Sequence, residues 1–196
     1  MDDQMLITDE AEDVAGSIRH ALLSLSNTTR DPQSWKWALL ALHSALQGAC
    51  VCHLITTLPP IGVVSEKDTA KWLVYFNARR TDPQTERPKT YLMKFPQLLT
   101  AVSKPHSAGD RSNASGIEIS DKELRWLKRI DTEIRNQFVH FAPMGWSIEV
   151  SGIPDLAKLV ARIVREIEGY GWAFRHKDAA WRNALLVDLK KLEGIT

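Results

Sequence analysis

Arg135, Asn136 and His140 fall within six residues, in the stretch EIRNQFVHFAPMGWSIEV from Glu133 to Val150. Their types match what cleaving RNA without a metal demands. A base must take the 2′-OH proton, an acid must protonate the leaving oxygen, and a cation must hold the charge that develops around phosphorus. Arginine supplies a permanent charge with a planar fork of donors suited to phosphate. Histidine takes and returns a proton near neutral pH. Asn136 and His140 are four apart, so on a helix the amide can steer the imidazole. Arg135 and His140 are five apart, about 140° around a straight helix at roughly 100° per residue. They converge only if the helix end frays at Pro143 or a second copy supplies the partner group. A plainer reading uses the same residues. Asp131 and Arg135, four apart, can form a surface ion pair of little energetic weight, and a histidine near a helix C-terminus is favoured by the helix dipole alone.

Other chemistries find less in the chain. Six histidines are scattered at positions 20, 43, 53, 106, 140 and 176. No pair has the four-residue spacing with a carboxylate that helix-borne zinc uses, so neither a metal nor another cofactor is expected. Phosphate-cradling glycine loops and a Gly-x-Ser-x-Gly elbow are absent. Trp35 and Trp37 flank Lys36, which reads either as a stacking platform for bases or as two core anchors beside a solvated lysine. Cys50 and Cys52, two apart on a helix, point to different faces and read as small buried apolar residues.

The elements that must hold these residues are helical. Val14, Ile18, Leu22 and Leu25 mark a helix over residues 11–26. Pro32 suits the first turn of a second helix, which runs to about Thr57 before Pro59-Pro60. This helix, apolar almost all round, reads as the centre of a bundle. Lys36, His43, Ser44, Gln47 and His53 within it argue against a membrane span. A third helix covers 65–80. The stretch 80–120 reads as a loop-rich insertion containing one short apolar piece, Tyr91 to Val102, and the polar run SKPHSAGDRSNASG, the best candidate for a mobile loop. Ser120 and Glu123 form a capping box. It opens an amphipathic helix carrying Leu124, Leu127, Ile130, Ile134, Phe138 and Phe141, and the Arg–His motif closes that helix. Trp146, Ile148 and Val150 alternate with polar residues as in a short strand or hairpin. Helices from Pro154 to about Gly169 and from Asp178 to Leu192 complete an all-α, up-and-down bundle of four or more helices. The whole chain reads as a single domain, residues 1–196, with an N-terminal helix inside 1–30.

Net charge bounds the function. At +1 over 196 residues the chain lacks the basic footprint of a general nucleic-acid coat protein, although a local basic site remains compatible with it. The acidic start MDDQMLITDEAED does not read as a secretory signal, and the expectation is a cytoplasmic protein without a membrane partner.

The run IRNQFVHF, Ile134 to Phe141, resembles the signature of the HEPN superfamily: Arg, a polar residue, a short spacer, then His at the end of a bundle helix. ALLALHSALQGACVCHL resembles the first HEPN helix, and together the likeness covers mainly residues 35–58 and 120–170. It implies a helical bundle that forms a homodimer, gathering Arg135 and His140 of both subunits in one cleft. Many members are metal-independent endoribonucleases, often toxins or defence components with an antitoxin partner. Others are non-catalytic binding modules. Carried onto this chain, Arg135 contacts the RNA phosphate, His140 is the acid/base, Asn136 supports it, and Asp131 orients Arg135. Two departures matter. Gln47 stands where many members have Glu, and Ala142 stands where one toxin branch has a Tyr.

Overall fold

The computed structural model of the chain describes residues 5, 8–135, 137, 138, 147 and 149–195, the side chain of Ile134 excepted. Within them seven α-helices form an all-α bundle: α1 Glu10–Ser26, α2 Ser34–Leu54, α3 Glu66–Arg79, α4 Phe95–Val102, α5 Asp121–Arg129, α6 Ile153–Gly169 and α7 Ala179–Glu193. Local chemistry sets most of the starts. Asp9, Ser65, Ser120 and Asp178 each accept a backbone N–H of the first turn with a side-chain oxygen, satisfying a donor that helix geometry leaves open. At Ser120 the box is reciprocal: the Glu123 carboxylate accepts from the Ser120 backbone N–H at 2.8 Å. Pro154 stands in the first turn of α6, where its missing N–H is harmless.

Helix α2 is the centre. It packs against α1, α4, α6 and the segment that follows α5, and α7 closes against α1 and α6. Leu39, Leu42, Leu46 and Cys50 are buried along it. By length and composition α2 could cross a membrane, but most of it is buried within the bundle, so core burial accounts for its apolar run. Cys50 and Cys52 are unpaired and buried. Burial pushes the Cys52 thiol up to about 12. Gly48 lets α1 approach closely, since a Cβ there would meet a Val14 methyl at 2.8 Å. A smaller cluster of Val64, Trp72 and Tyr75 lies outside the main core and carries α3.

Three expectations change. The first concerns the motif helix, expected as one regular helix to Phe141. After Arg129 it widens into a π-helical segment, Ile130–Arg135, with backbone bonds reaching five residues instead of four. Here the Thr132 hydroxyl bonds the Lys128 carbonyl at 3.0 Å, a contact that competes with the regular ladder and bends helices.

The second concerns residues 80–120. Phe95, Leu98, Leu99 and Val102 of α4 enter the main core, so the insertion contributes to the bundle. Its polar run is held in place: the Asn113 side chain is buried, accepts from Ala108 N–H at 2.7 Å and donates to Ser107 Oγ and the Ser115 carbonyl at 3.1 and 2.8 Å. Gly109 donates its N–H to the His53 carbonyl at 2.8 Å, and a Cβ there would collide with the Ile55 carbonyl and the Trp172 indole nitrogen. A polar composition that suggests mobility here serves to satisfy backbone groups close to the core.

The third concerns the tryptophans near Lys36. Trp35 packs against the core, whereas Trp37 is 50 % exposed with the Lys36 ammonium 4.9 Å from its ring centre. Only one of the pair anchors the core. The hairpin expected around Trp146 and Ile148 falls on residues outside those described. Among the described residues the β pairing is a single antiparallel bridge between Val64 and Leu92.

Candidate functional site

The motif helix reaches its site braced at both ends of α5. Arg162 of α6 donates to the Glu118 carbonyl at 2.7 Å and to the Glu123 carboxylate at 3.0 Å. Glu166 accepts the Glu118 N–H at 2.8 Å. The far end meets α2 through the π-helical segment. There His43 Nε2 lies 2.8 Å from Asp131 Oδ1, with side-chain exposures of 6 % and 18 %. The Phe95 ring closes over the imidazole, centroids 4.4 Å apart. An ionised carboxylate has no hydrogen to give, so Nε2 carries the proton and Nδ1 keeps its lone pair.

Burial favours the neutral form of His43. Burial is the largest influence and lowers its pKa below the ordinary histidine value. Asp131 opposes this by bonding to the ring, and the nearby Arg135 charge lowers it further. That influence places Arg135 within electrostatic reach of His43. Both residues, with Asp13, Ser44, Gln47 and Arg87, line one open cavity of about 890 Å³. Its charge is mixed. Asp9, Glu10 and Asp13 add carboxylates near the start of α1. Lys177 engages Asp9 at 2.9 Å, and the Ser44 hydroxyl donates to Asp13 at 3.3 Å. Gln47 faces the same space as Arg135 without adding charge.

Of the four residues expected to form the site, Arg135 and Asp131 are described. Asp131 is a partly buried partner of His43, which its surface-pair reading did not anticipate. Asn136 and His140 lie outside the described residues. Sequence reasoning missed His43 and Arg87. A histidine inside an otherwise apolar helix needs a polar partner, and that was the available signal. Arg87 sits in a loop without a pattern. It is placed by its guanidinium over the Trp72 ring, 5.1 Å from the centroid. Among the described residues no three His, Cys, Asp or Glu side chains converge as a metal site.

A second buried histidine has a different setting. Ser107 gives its hydroxyl proton to the Val102 carbonyl and accepts from Asn113, so His53 Nε2, 3.0 Å away, donates to it. His53 Nδ1 is left buried without a protein partner, and burial lowers this histidine to about 4.

No protein-family model, curated protein or solved structure matches the chain.

Proposed function

We propose that the chain is a metal-independent RNA endonuclease of HEPN type, cytoplasmic and acting as a homodimer. Arg135 binds the scissile phosphate, His140 is the acid/base and Asn136 supports its ring. A toxin or defence role with an antitoxin partner belongs to the same reading. The observation that carries it is the placement of Arg135. A permanent cation lines a cavity of about 890 Å³, large enough for a nucleotide, at a π-helical widening of the backbone, a feature frequent at functional sites. Asp131 and His43 beside it make a proton-handling environment, and Arg87 adds a second guanidinium to the same space.

The test is cleavage of single-stranded and structured RNA in EDTA. Activity that survives the chelator and disappears in Arg135→Ala and His140→Ala supports the reading; activity unchanged in both variants refutes it.

A second reading, a non-catalytic dimerisation or binding module, is favoured by exposed apolar side chains. Leu73, Val74, Tyr91 and Leu92 are each about half to two-thirds exposed, more than isolated surface leucines require. It is separated from the first by its prediction of no RNA turnover and of self-association that weakens when Val74 or Tyr91 is made polar.

A further inference from the structure

We propose that the cavity holding Arg135 is one end of a longer cleft that binds the backbone of single-stranded RNA, with Arg87 assisting at that end and Arg175 holding a second phosphate at the other. This rests on the ribonuclease reading and narrows its substrate to a strand of several nucleotides. A second cavity, about 260 Å³, lies beside the first. Asp9, Glu10, Val51, Ile55 and Pro59 line both, so the two are neighbours on one strip of surface. Helix α2 runs beneath them. Leu40, Ser44, Gln47 and Val51 step along one of its faces at three- and four-residue intervals, and Ile55 follows at its end. The Arg135 charge acts on His43 at one end of this stripe, and the Arg175 charge acts on Cys52 at the other. His43 and Cys52 are about 14 Å apart along the helix at 1.5 Å per residue. One phosphate cannot serve both cations, whereas two phosphates of one strand can.

The setting of Arg175 suits an anion. Its guanidinium lies on the Trp172 indole, 3.6 Å from the ring centre, and donates to the Trp172 carbonyl at 3.1 Å. The indole is itself fixed, its N–H on the Ile55 carbonyl at 2.9 Å. Stacking occupies the flat face of a guanidinium and leaves donors on its edge for phosphate oxygens. Arg87 repeats the arrangement over the buried Trp72 ring. Among the described residues neither arginine makes an ion pair. Their neighbours do: Lys177 is held by Asp9 and Glu12, and Arg182 by Glu168. Lys177 also offsets the Asp9 charge on the shared strip. Glu10 on the same strip has no such cation, so phosphates are favoured at the two ends rather than over the middle. Val51, Ile55 and Pro59 give that middle an apolar floor against which bases can lie.

The experiment measures binding of a labelled 2′-O-methyl RNA octamer, which cannot be cleaved through its 2′-oxygen, by fluorescence anisotropy in EDTA over a series of salt concentrations. Wild type, Arg87→Gln and Arg175→Gln are compared, with a 2′-O-methyl dinucleotide and a glutamate octapeptide as further probes. Glutamine keeps an N–H for the Trp172 carbonyl but carries no charge. Octamer Kd should rise by about tenfold in Arg175→Gln, the loss of one charge-assisted contact. The slope of log affinity against log salt should shrink by about one, which a merely structural role would not produce. Dinucleotide binding, with its single phosphate, should be unchanged in Arg175→Gln. In cleavage of an unmodified octamer the same variant should raise KM and leave kcat nearly unchanged. An Arg175→Gln protein with wild-type octamer affinity and salt slope overturns the proposal, and so do equal losses on dinucleotide and octamer. A wild type that binds dinucleotide and octamer equally overturns it too, even if Arg175→Gln fails to fold. Tighter binding of the glutamate peptide than of RNA assigns the cleft to an acidic protein instead and overturns it. Octamer binding that depends on Arg175 without any cleavage by wild type upholds the cleft and refutes the ribonuclease reading. Cleavage lost in Arg135→Ala and untouched in Arg175→Gln does the reverse.

Discussion

His43 and Asp131, 88 residues apart in sequence, meet at 2.8 Å with the histidine side chain 6 % exposed. This bond ties the central helix to the π-helical segment that ends in Arg135. A hydrogen bond to a charged partner in a poorly solvated place is worth more than an exposed ion pair, and breaking it leaves a buried donor unsatisfied. Asp131→Ala should therefore lower stability by about 1–3 kcal/mol. Adding His43→Leu should recover part of that loss, because no orphaned donor then remains. Urea unfolding of both single variants and the double variant measures the coupling; strictly additive losses would show that the bond contributes nothing of its own.

His53 makes folding stability pH-dependent. Its folded-state value lies near 4, against about 6.5 in an unfolded chain. The neutral form is favoured by folding, so the contribution is complete above about pH 6.5. It declines as pH falls through the window down to about 4, where the unfolded chain binds the extra proton. The loss should approach roughly 3 kcal/mol across that window. His43, also lowered, acts in the same direction. Chemical denaturation at a series of pH values should give His53→Leu a shallower acid decline than wild type. Parallel declines in the two proteins would contradict the assignment.

Asn113 holds the loop after α4. Its amide makes three hydrogen bonds and is buried. Asn113→Ala orphans the Ala108 N–H, while the Ser115 carbonyl keeps the Tyr170 hydroxyl at 3.2 Å, and should destabilise by about 1–3 kcal/mol, the cost of one unsatisfied buried group. Hydrogen exchange should rise first at residues 106–109. Unchanged protection there would mean that Gly109 and its bond to the His53 carbonyl hold the loop unaided.

Sequence and structure agree wherever the signal is local. The Ser120–Glu123 box, the apolar steps of α1 and α6, and the unbroken apolar run of α2 each encode their element within a few turns. The all-α bundle follows from those. The π-helical segment was not legible, because Leu127, Ile130 and Ile134 keep helical spacing whether a turn holds one more residue or not. The pairing of His43 with Asp131 was illegible for a different reason: nothing near either residue names the other, and only packing of α2 against the motif helix brings them together. The loop holding Asn113 has the composition of a mobile linker, yet its amides and hydroxyls are spent on backbone groups that packing removes from water. In each case the missing information is a tertiary contact rather than a weak propensity.

The proposed activity is metal-independent cleavage of RNA through Arg135. The most direct measurement uses one end-labelled RNA and the same oligonucleotide with a 2′-deoxy sugar at the cleaved position, both in EDTA, followed by analysis of the new ends. Only the ribose form should be cleaved, leaving a 2′,3′-cyclic phosphate, with the rate reduced by about 10²-fold or more in Arg135→Ala. Equal cleavage of both substrates, no cleavage of either, or an Arg135→Ala protein as active as wild type would contradict it.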